Sequence, residues 1–381
     1  LNIGINLLRF DPTKNIGGNY TYAFNIVQSL IQNKSNMYYL FLTDRNKEMF
    51  AFKADNIKCI CLKSKKNIIS KIFAENLFIE KQIKHLELEI FFSPCFLLPF
   101  RKLKIKSVVT IHDLNFRHFS QGFFKDIYKN ILYRLTIRNS SAITTVSEFT
   151  KLDLCSFVPG FEGKIKVVYN GCNMTLESFD KSNHDSFERR YSIDYPYFLA
   201  ISHYEHKNAE LAIKAFALSK DKLSEQHQLI ITGARHKLKE KLKTIAREEK
   251  VEKDIVFIDY VENEYIQSMY YGAKLFLFPS LFEGFGIPVI ESMNMGCPVI
   301  ASNNSSIPEV VGDAGILLDT GDVSQWSRFI IELSSNNDKM TSLREKGFLR
   351  ASMFNWNESA IELMKIFKEV LDNKKKEQKI G

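Results

Sequence analysis

The sequence predicts an α/β protein built from two doubly wound parallel sheets. At 381 residues the chain is too long for one ordinary domain and suits two. Short apolar runs of strand length alternate with helix-length segments, the pattern of a parallel sheet with helical crossovers. The alternation runs in two series, separated by a polar stretch between about Glu177 and Tyr195 that contains Lys181-Ser-Asn-His-Asp-Ser186 and Glu188-Arg-Arg190. Domains are expected over 1–185 and 195–355, with that stretch as linker and a last helix over 356–381.

The first series opens with a strand in Asn2 to Leu8. The loop Arg9-Phe-Asp-Pro-Thr-Lys-Asn-Ile-Gly17-Gly18 leads into a helix from about Asn19 to Ile31, with Asn19 as its cap. Tyr38–Thr43, Ile57–Leu62, Ile90–Ser93, Ser107–Ile111, Ala142–Val146 and Ile165–Tyr169 read as further strands. Ile72, Leu77, Ile79, Ile83 and Leu86 recur near one side of an amphipathic helix over Ile68–Leu86. Phe116 to Arg138 is rich in aromatic and basic residues. Its simplest reading is an amphipathic helix whose aromatics enter the core; the other is a helix facing an acceptor or a membrane surface. Ser147 is placed to cap the helix after Val146.

The second series has strands at Tyr197–Ile201, Gln228–Thr232, Ile255–Ile258, Leu275–Phe278, Val299–Ala301 and Gly315–Leu318. Helices are expected from Lys207 to about Leu218 and over Trp326–Leu333, Asp338–Arg350 and Trp356–Asp372.

The formal charge of +8 suits an anionic partner: a nucleotide, a phospholipid surface or a nucleic acid. No RNA-binding or helix-turn-helix pattern is present, so nucleic acid is the weakest of the three. The tail Lys374-Lys-Lys-Glu-Gln-Lys379 reads as a solvated helix end. No run approaches the roughly 18 apolar residues of a membrane-spanning helix. The first residues read directly as a strand rather than a secretory signal, and a cytoplasmic protein is expected, with contact at the inner membrane face as an option. Cys59, Cys61, Cys95, Cys155, Cys172 and Cys297 lack the Cys-x2-Cys pairing of a metal site and mostly sit among apolar neighbours, as reduced, buried thiols do.

The chemistry concentrates in Pro279-Ser-Leu-Phe-Glu283-Gly-Phe-Gly-Ile-Pro-Val-Ile-Glu291. An apolar strand precedes it, and Val289 to Met295 reads as a helix stopped by Gly296. Gly284 and Gly286 let the backbone approach a ligand, and Pro288 suits the first helical turn. The N–H groups of that turn favour an anion. Carboxylates accept hydrogen bonds from sugar hydroxyls. Glu283 for a sugar, Glu291 for a ribose and the helix start for phosphates between them describe a nucleotide sugar. The plain alternative is a solvated Glu283 and a Glu291 paired with a lysine. Two further candidates are the Gly17-Gly18 turn, a second place where phosphate could approach backbone, and His112-Asp113 at a strand end, where ligands of open α/β sheets bind. Lys207, opening a helix after a strand, offers a point charge to a diphosphate.

The Glu-x7-Glu stretch, with Gly296-Cys-Pro-Val-Ile-Ala301 and Pro308-Glu-Val-Val-Gly-Asp-Ala-Gly315, resembles the retaining GT-B glycosyltransferases of family GT4, the "group 1" enzymes. Thr110-Ile-His-Asp-Leu114, Val146-Ser-Glu-Phe-Thr150 and the Gly17-Gly18 loop resemble landmarks of the same family. The resemblance implies two Rossmann-like domains facing a cleft and a last helix crossing back to the first domain. It implies transfer of a mannose- or glucose-type hexose, with retention and no obligatory metal, from a GDP- or UDP-linked sugar to a saccharide or lipid-linked saccharide. A surface polysaccharide or lipopolysaccharide would be the product. On it, His112, Glu283 and Lys207 are the catalytic candidates; Gly17, Gly18, Lys207, Gly284, Phe285, Gly286, Ile287 and Glu291 are the donor-binding ones. The chain departs where many members have Gly-Arg: here stand Ser202-His203, and either His203 or Arg235 could supply the second positive group. No Asp-x-Asp cluster of the metal-dependent transferases is present. The rival readings are a catalytically degenerate binding or scaffold subunit, a phosphorylase or epimerase of like architecture, and a lysine-rich membrane or nucleic-acid adaptor.

Overall fold

The computed structural model describes residues 1–12, 17–64, 68–96, 98–99, 101–120, 122–177 and 179–380, without the side chains of 68–73 and 374–380. Residues 13–16 of the glycine-containing loop and the side chains of the basic tail therefore lie outside the described part. Every expected strand is present, and all ladders are parallel.

The first unit comprises Leu1–Gly171 together with the segment from Asn355 onward. Its strands are β1 (Asn2–Asn6), β2 (Met37–Thr43), β3 (Ile57–Leu62), β4 (Ile90–Ser93), β5 (Lys106–Ile111), β6 (Ala142–Thr145) and β7 (Ile165–Val167), in the order β3-β2-β1-β4-β5-β6-β7. The central strands are buried on both faces, which is why they read as continuous apolar runs rather than alternating ones. The Gly18–Leu30 helix lays Tyr22, Ala23, Ile26, Val27 and Leu30 into the core. The Trp356–Ile380 helix belongs here too: Trp356 meets the Tyr22 ring edge-on at 5.8 Å, and Phe367 meets Phe92 at 5.5 Å.

The second unit, Cys172–Phe354, holds β8 (Tyr197–Ile201), β9 (Gln228–Thr232), β10 (Ile255–Ile258), β11 (Ala273–Phe278), β12 (Val299–Ser302) and β13 (Gly315–Leu318), in the order β10-β9-β8-β11-β12-β13. Its core gathers Phe198, Phe216, Leu229, Ile231, Leu277, Ile300 and Trp326. In both units the strand order reverses once, between β1 and β4 and between β8 and β11. Open α/β sheets receive ligands at such reversals, beyond the strand carboxyl ends.

Several expectations are corrected. The polar stretch taken as linker contains a helix, Ser182–Tyr191, that opens the second unit. Asp180 accepts hydrogen bonds from the backbone and hydroxyl of Ser182 at the helix start. Phe187 is fully buried among Tyr191, Tyr197 and Tyr265, so one aromatic anchors an otherwise polar helix. Asn19 lies inside its helix; Gly17 occupies the cap position in extended conformation. The His236–Glu248 helix was not anticipated, although Leu238, Leu242 and Ile245 repeat at helical spacing among lysines. Cys59 and Cys61 are exposed, because β3 is the sheet edge and Ile60 and Leu62 take its core side. The aromatic-basic segment forms two helices, Asn115–His118 and Phe123–Asn139. Phe116 and Tyr133 enter the core, but Phe123, Phe124 and Tyr128 do not; Leu132, Tyr133, Thr136 and Ile137 already fill the inner face of the longer helix.

Gly171 carries a sharp test of the first unit's packing. A Cβ there would lie 2.2 Å from the Trp356 backbone nitrogen and 2.7 Å from the Asn355 carbonyl carbon. Gly171→Ala is expected to cost about 1–3 kcal/mol in denaturant unfolding, since backbone must move. Gly163→Ala, with nothing among the described residues within 4 Å of the added carbon, should leave stability unchanged or slightly raised.

Candidate active site

In the second unit, the chain leaves β11 through Pro279 and turns into the Ile287–Asn294 helix. Gly286 caps that helix at φ 106°, a left-handed backbone that favours glycine, and Pro288 lies in the first turn. Phe285 is 3% exposed and meets Phe354 edge-on at 5.4 Å, so its side chain belongs to the core.

The loop before the helix is held by a polar turn that sequence reasoning passed over. Ser305 accepts a hydrogen bond from the Glu283 N–H at 3.0 Å. Ser306 donates to the carbonyls of Glu283 and Phe285 at 3.0 and 2.9 Å, and Ser302 donates to that of Ser280 at 2.6 Å. The run Ser302-Asn-Asn-Ser-Ser306 resembles any solvated turn, and only the neighbouring strands β11 and β12 bring it under the loop.

Lys207 ends a short 3-10 turn after β8, and Asn208 then adopts a left-handed conformation at the start of the Ala209–Lys220 helix. The Lys207 ammonium lies 2.5 Å from Glu283 Oε1 and 5.3 Å above the Phe278 ring, and the two charged side chains are only 13% and 11% exposed. The two residues, 76 positions apart in sequence, thus form one ion pair. Backbone joins them as well: the Leu281 N–H and Ser280 hydroxyl both donate to the His206 carbonyl.

His203 and Arg235 lie near this pair. The His203 ring lies against Gly233, whose missing Cβ would sit 2.8 Å from it. Burial, then the charges of Lys207 and Arg235, push His203 below the usual histidine range, against the pull of Glu283. Arg235 donates to the Asp259 carbonyl at 3.2 Å and lies 5.9 Å over the Tyr260 ring. Of the two residues offered as second positive group, His203 is held neutral and Arg235 is the cation; both it and Lys207 act on the His203 ring.

Glu291 has a different partner from Glu283. It accepts a 2.9 Å hydrogen bond from the buried Tyr270 hydroxyl. Desolvation lifts its carboxyl to about 7, against the lowering effect of that hydrogen bond. Tyr270 was not singled out from the sequence, where it is one aromatic in Met269-Tyr-Tyr271.

In the first unit, Gly17 caps the Gly18–Leu30 helix, and among the described residues no atom lies within 4 Å of where a Cβ would stand at Gly17 or Gly18. His112 follows β5, with Nε2 2.8 Å from the Pro94 carbonyl. A carbonyl only accepts, so Nε2 carries the proton and Nδ1 is left as an acceptor. Burial holds His112 below the usual range. The Tyr22 ring stands edge-on to it at 4.7 Å, fixed by hydrogen bonding from Tyr22 through Thr110 to Thr144 at 3.0 and 2.9 Å. Asp113 is used locally: its carboxylate accepts from the Asn115 N–H.

Comparison with known proteins bears on the family and the fold. The sequence profile described as Glycosyltransferase Family 4 matches residues 17–176, and that described as Glycosyl transferases group 1 matches residues 183–350. The chain belongs to this family of glycosyltransferases. It is 26% identical over 283 residues to O-antigen chain mannosyltransferase B of Escherichia coli, spanning 73% of this chain and 74% of that protein. Among solved structures it resembles a sucrose-phosphate synthase from Thermosynechococcus elongatus (TM-score 0.79, 16% identity, 98% of this chain and 99% of the other). It also resembles Anabaena HepE in complex with UDP-glucose (TM-score 0.77, 16% identity, 96% and 99%). These are GT-B folds, as the two Rossmann-like sheets are.

Glu291 gives this site a pH signature. Its pKa in the folded chain lies above that of an unfolded Glu, so folding favours the neutral acid. That contribution is complete below the unfolded value and is lost as pH rises through about 7. Glu291→Gln mimics the neutral form. The stability of the variant relative to the parent should therefore rise from pH 5 to pH 8, by about 2–3 kcal/mol in urea titrations at each pH. A difference independent of pH would mean that the carboxyl is solvated.

Proposed function

We propose that the chain transfers a mannose- or glucose-type hexose, with retention, from a GDP- or UDP-linked sugar to a saccharide or lipid-linked saccharide acceptor, in assembly of a bacterial surface polysaccharide or lipopolysaccharide. The observation that carries this reading is the Lys207–Glu283 pair, set at the strand-order reversal of the second sheet beside His203, Arg235 and a Gly286-capped helix start. Support for the sugar and product comes from the similarity to a mannosyltransferase of O-antigen chains. Support for the donor class comes from the likeness to a fold that holds UDP-glucose.

Departure of the diphosphate breaks the bond from C1 to the phosphate oxygen and builds negative charge on that oxygen. Lys207, Arg235, a ring N–H of the neutral His203 and the Ile287 N–H at the helix start meet this charge without requiring a metal. Glu283 accepts from hydroxyls of the sugar, and the binding anion takes over part of the Lys207 charge that Glu283 holds in its absence. Glu291 receives the ribose hydroxyls. In the first unit, His112 offers Nδ1 as an acceptor to a hydroxyl. The acceptor oxygen forms its bond to C1 on the face that the phosphate leaves, and its proton passes to the phosphate oxygen.

The test is nucleotide binding followed by turnover. UDP, GDP, ADP, dTDP and CMP are screened by thermal shift with and without magnesium; at about 100 times its Kd a ligand adds roughly 2.7 kcal/mol. One nucleoside diphosphate should stabilise the protein equally with and without magnesium. Silence from all five would remove the donor-site reading and leave the scaffold subunit. With the matching donor, Glu283→Gln and Lys207→Ala should each lower kcat/KM by about 100-fold or more. Lys207→Ala should also cost about 3–5 kcal/mol of stability, because it strands the Glu283 charge. The anomeric proton coupling in the product's NMR spectrum reads retention or inversion directly.

A further inference from the structure

The two oxygens of the Glu291 carboxyl have different surroundings. Oε2 accepts the Tyr270 hydroxyl at 2.9 Å. Oε1 takes no hydrogen bond from any described residue, yet it is not sealed from solvent, and Glu291 keeps partial exposure. Among the described residues no cation acts on this carboxyl; burial raises it and the Tyr270 bond lowers it. The groups that face it are neutral: Tyr270, and Cys172, whose thiol is hydrogen-bonded with Asn294 of Glu291's own helix. Arg344, on the Asn337–Ser352 helix packed against that one, donates to the Gly296 carbonyl and acts on Cys297 instead. Lys274 on β11 pairs with Glu225.

Tyr270 itself has little freedom. It lies in the six-residue Ile266–Tyr271 helix, which passes through Gly272 directly into β11. It is 1% exposed, and its ring meets Phe276 edge-on at 5.7 Å. Burial and the neighbouring Glu291 hold its hydroxyl well above the usual tyrosine range, so the hydroxyl is the donor of the bond. A phenylalanine would fill this space and bury no hydroxyl. Among the described residues that hydroxyl is spent on Glu291 alone.

We propose that Tyr270 is a positioning residue for the donor: by holding Oε2 it fixes the carboxyl plane of Glu291, so that Oε1 is presented to the ribose hydroxyls as an acceptor. This rests on the reading of Glu291 as the ribose-binding group. Without the tyrosine the carboxyl turns about a broad terminal torsion, and with no cation beside it takes up a proton more readily. The ribose hydroxyls and the Tyr270 hydroxyl act in the same direction, both favouring the carboxylate. Donor binding therefore releases a proton wherever Glu291 is neutral beforehand.

The test is Tyr270→Phe in two measurements. Without ligand, urea unfolding is followed against pH for each protein and its Glu291→Gln partner, in the parent and in the Tyr270→Phe background. The inflection of the parent pair, at about 7, should move up by about one pH unit in the Tyr270→Phe pair, because a donor to the carboxylate is lost. With ligand, UDP and GDP and their 2′,3′-dideoxy forms are titrated calorimetrically at about pH 8, where the parent carboxyl is ionised. The parent should bind its nucleotide about 10- to 100-fold more tightly than the dideoxy form. Tyr270→Phe should shrink that ratio by about tenfold and leave the affinity for the dideoxy form unchanged. A tyrosine that only packs the core would move neither the inflection nor the ratio, and either result overturns the inference while nucleotide binding by the parent stands. If neither UDP nor GDP binds the parent although the inflection moves, the donor reading of Glu291 fails first and the inference falls with it.

Discussion

A parallel sheet with right-handed crossovers covers both of its faces with helices only if the chain returns once to the middle and builds outward again on the other side. Both sheets here obey that constraint, at β1/β4 and at β8/β11. Where the order turns, neighbouring loops leave in opposite directions and open a space beyond the strand ends. Gly17 and Pro94 follow the strands at the first reversal; Ser202-His203 and Pro279–Gly286 follow those at the second. The chemistry of the chain is placed by this topological necessity before any side chain is considered.

What the side chains add in the second unit is charge held at low solvent exposure. A lysine and a carboxylate almost withdrawn from water lose hydration that their attraction only partly returns. Such a pair is weak evidence for stability, and its value lies in what it readies. The backbone of Glu283 is tied on both sides by Ser305 and Ser306, so the loop keeps its shape whatever the ion pair does. Lys207 can then share its charge with an incoming anion while Glu283 remains in place. His112 in the first unit follows a related logic: the Pro94 carbonyl selects the tautomer, burial keeps the ring neutral, and Tyr22 fixes its plane.

Much of this was legible in the chain. Buried parallel strands announce themselves as short apolar runs, and each expected strand formed. The Gly-Phe-Gly-Ile-Pro segment marked the loop-to-helix turn because only glycine at 286 fits its backbone and proline suits the turn after it. The His236–Glu248 helix carried a local signal among its lysines; the other missed features below depend on a neighbour distant in sequence. The Ser182–Tyr191 helix was hidden because its stripe is essentially one residue, Phe187, and the aromatic cage that receives it comes largely from elsewhere. The serine turn under Glu283 and the Tyr270 hydroxyl on Glu291 are ordinary residues until the strands place them.

The sequence by itself determined the two parallel sheets, the family, and the residue types gathered at the strand ends, because local periodicity and turn chemistry operate over a few residues. Tertiary structure alone decided the partners of the charges: Lys207 with Glu283, Tyr270 with Glu291, the Pro94 carbonyl with His112. It also decided which face of the Phe123–Asn139 helix is core and which is surface. Amphipathic spacing says that a helix has an apolar stripe, but when two stripes are present, only the packing of the rest of the chain selects the one that water does not reach.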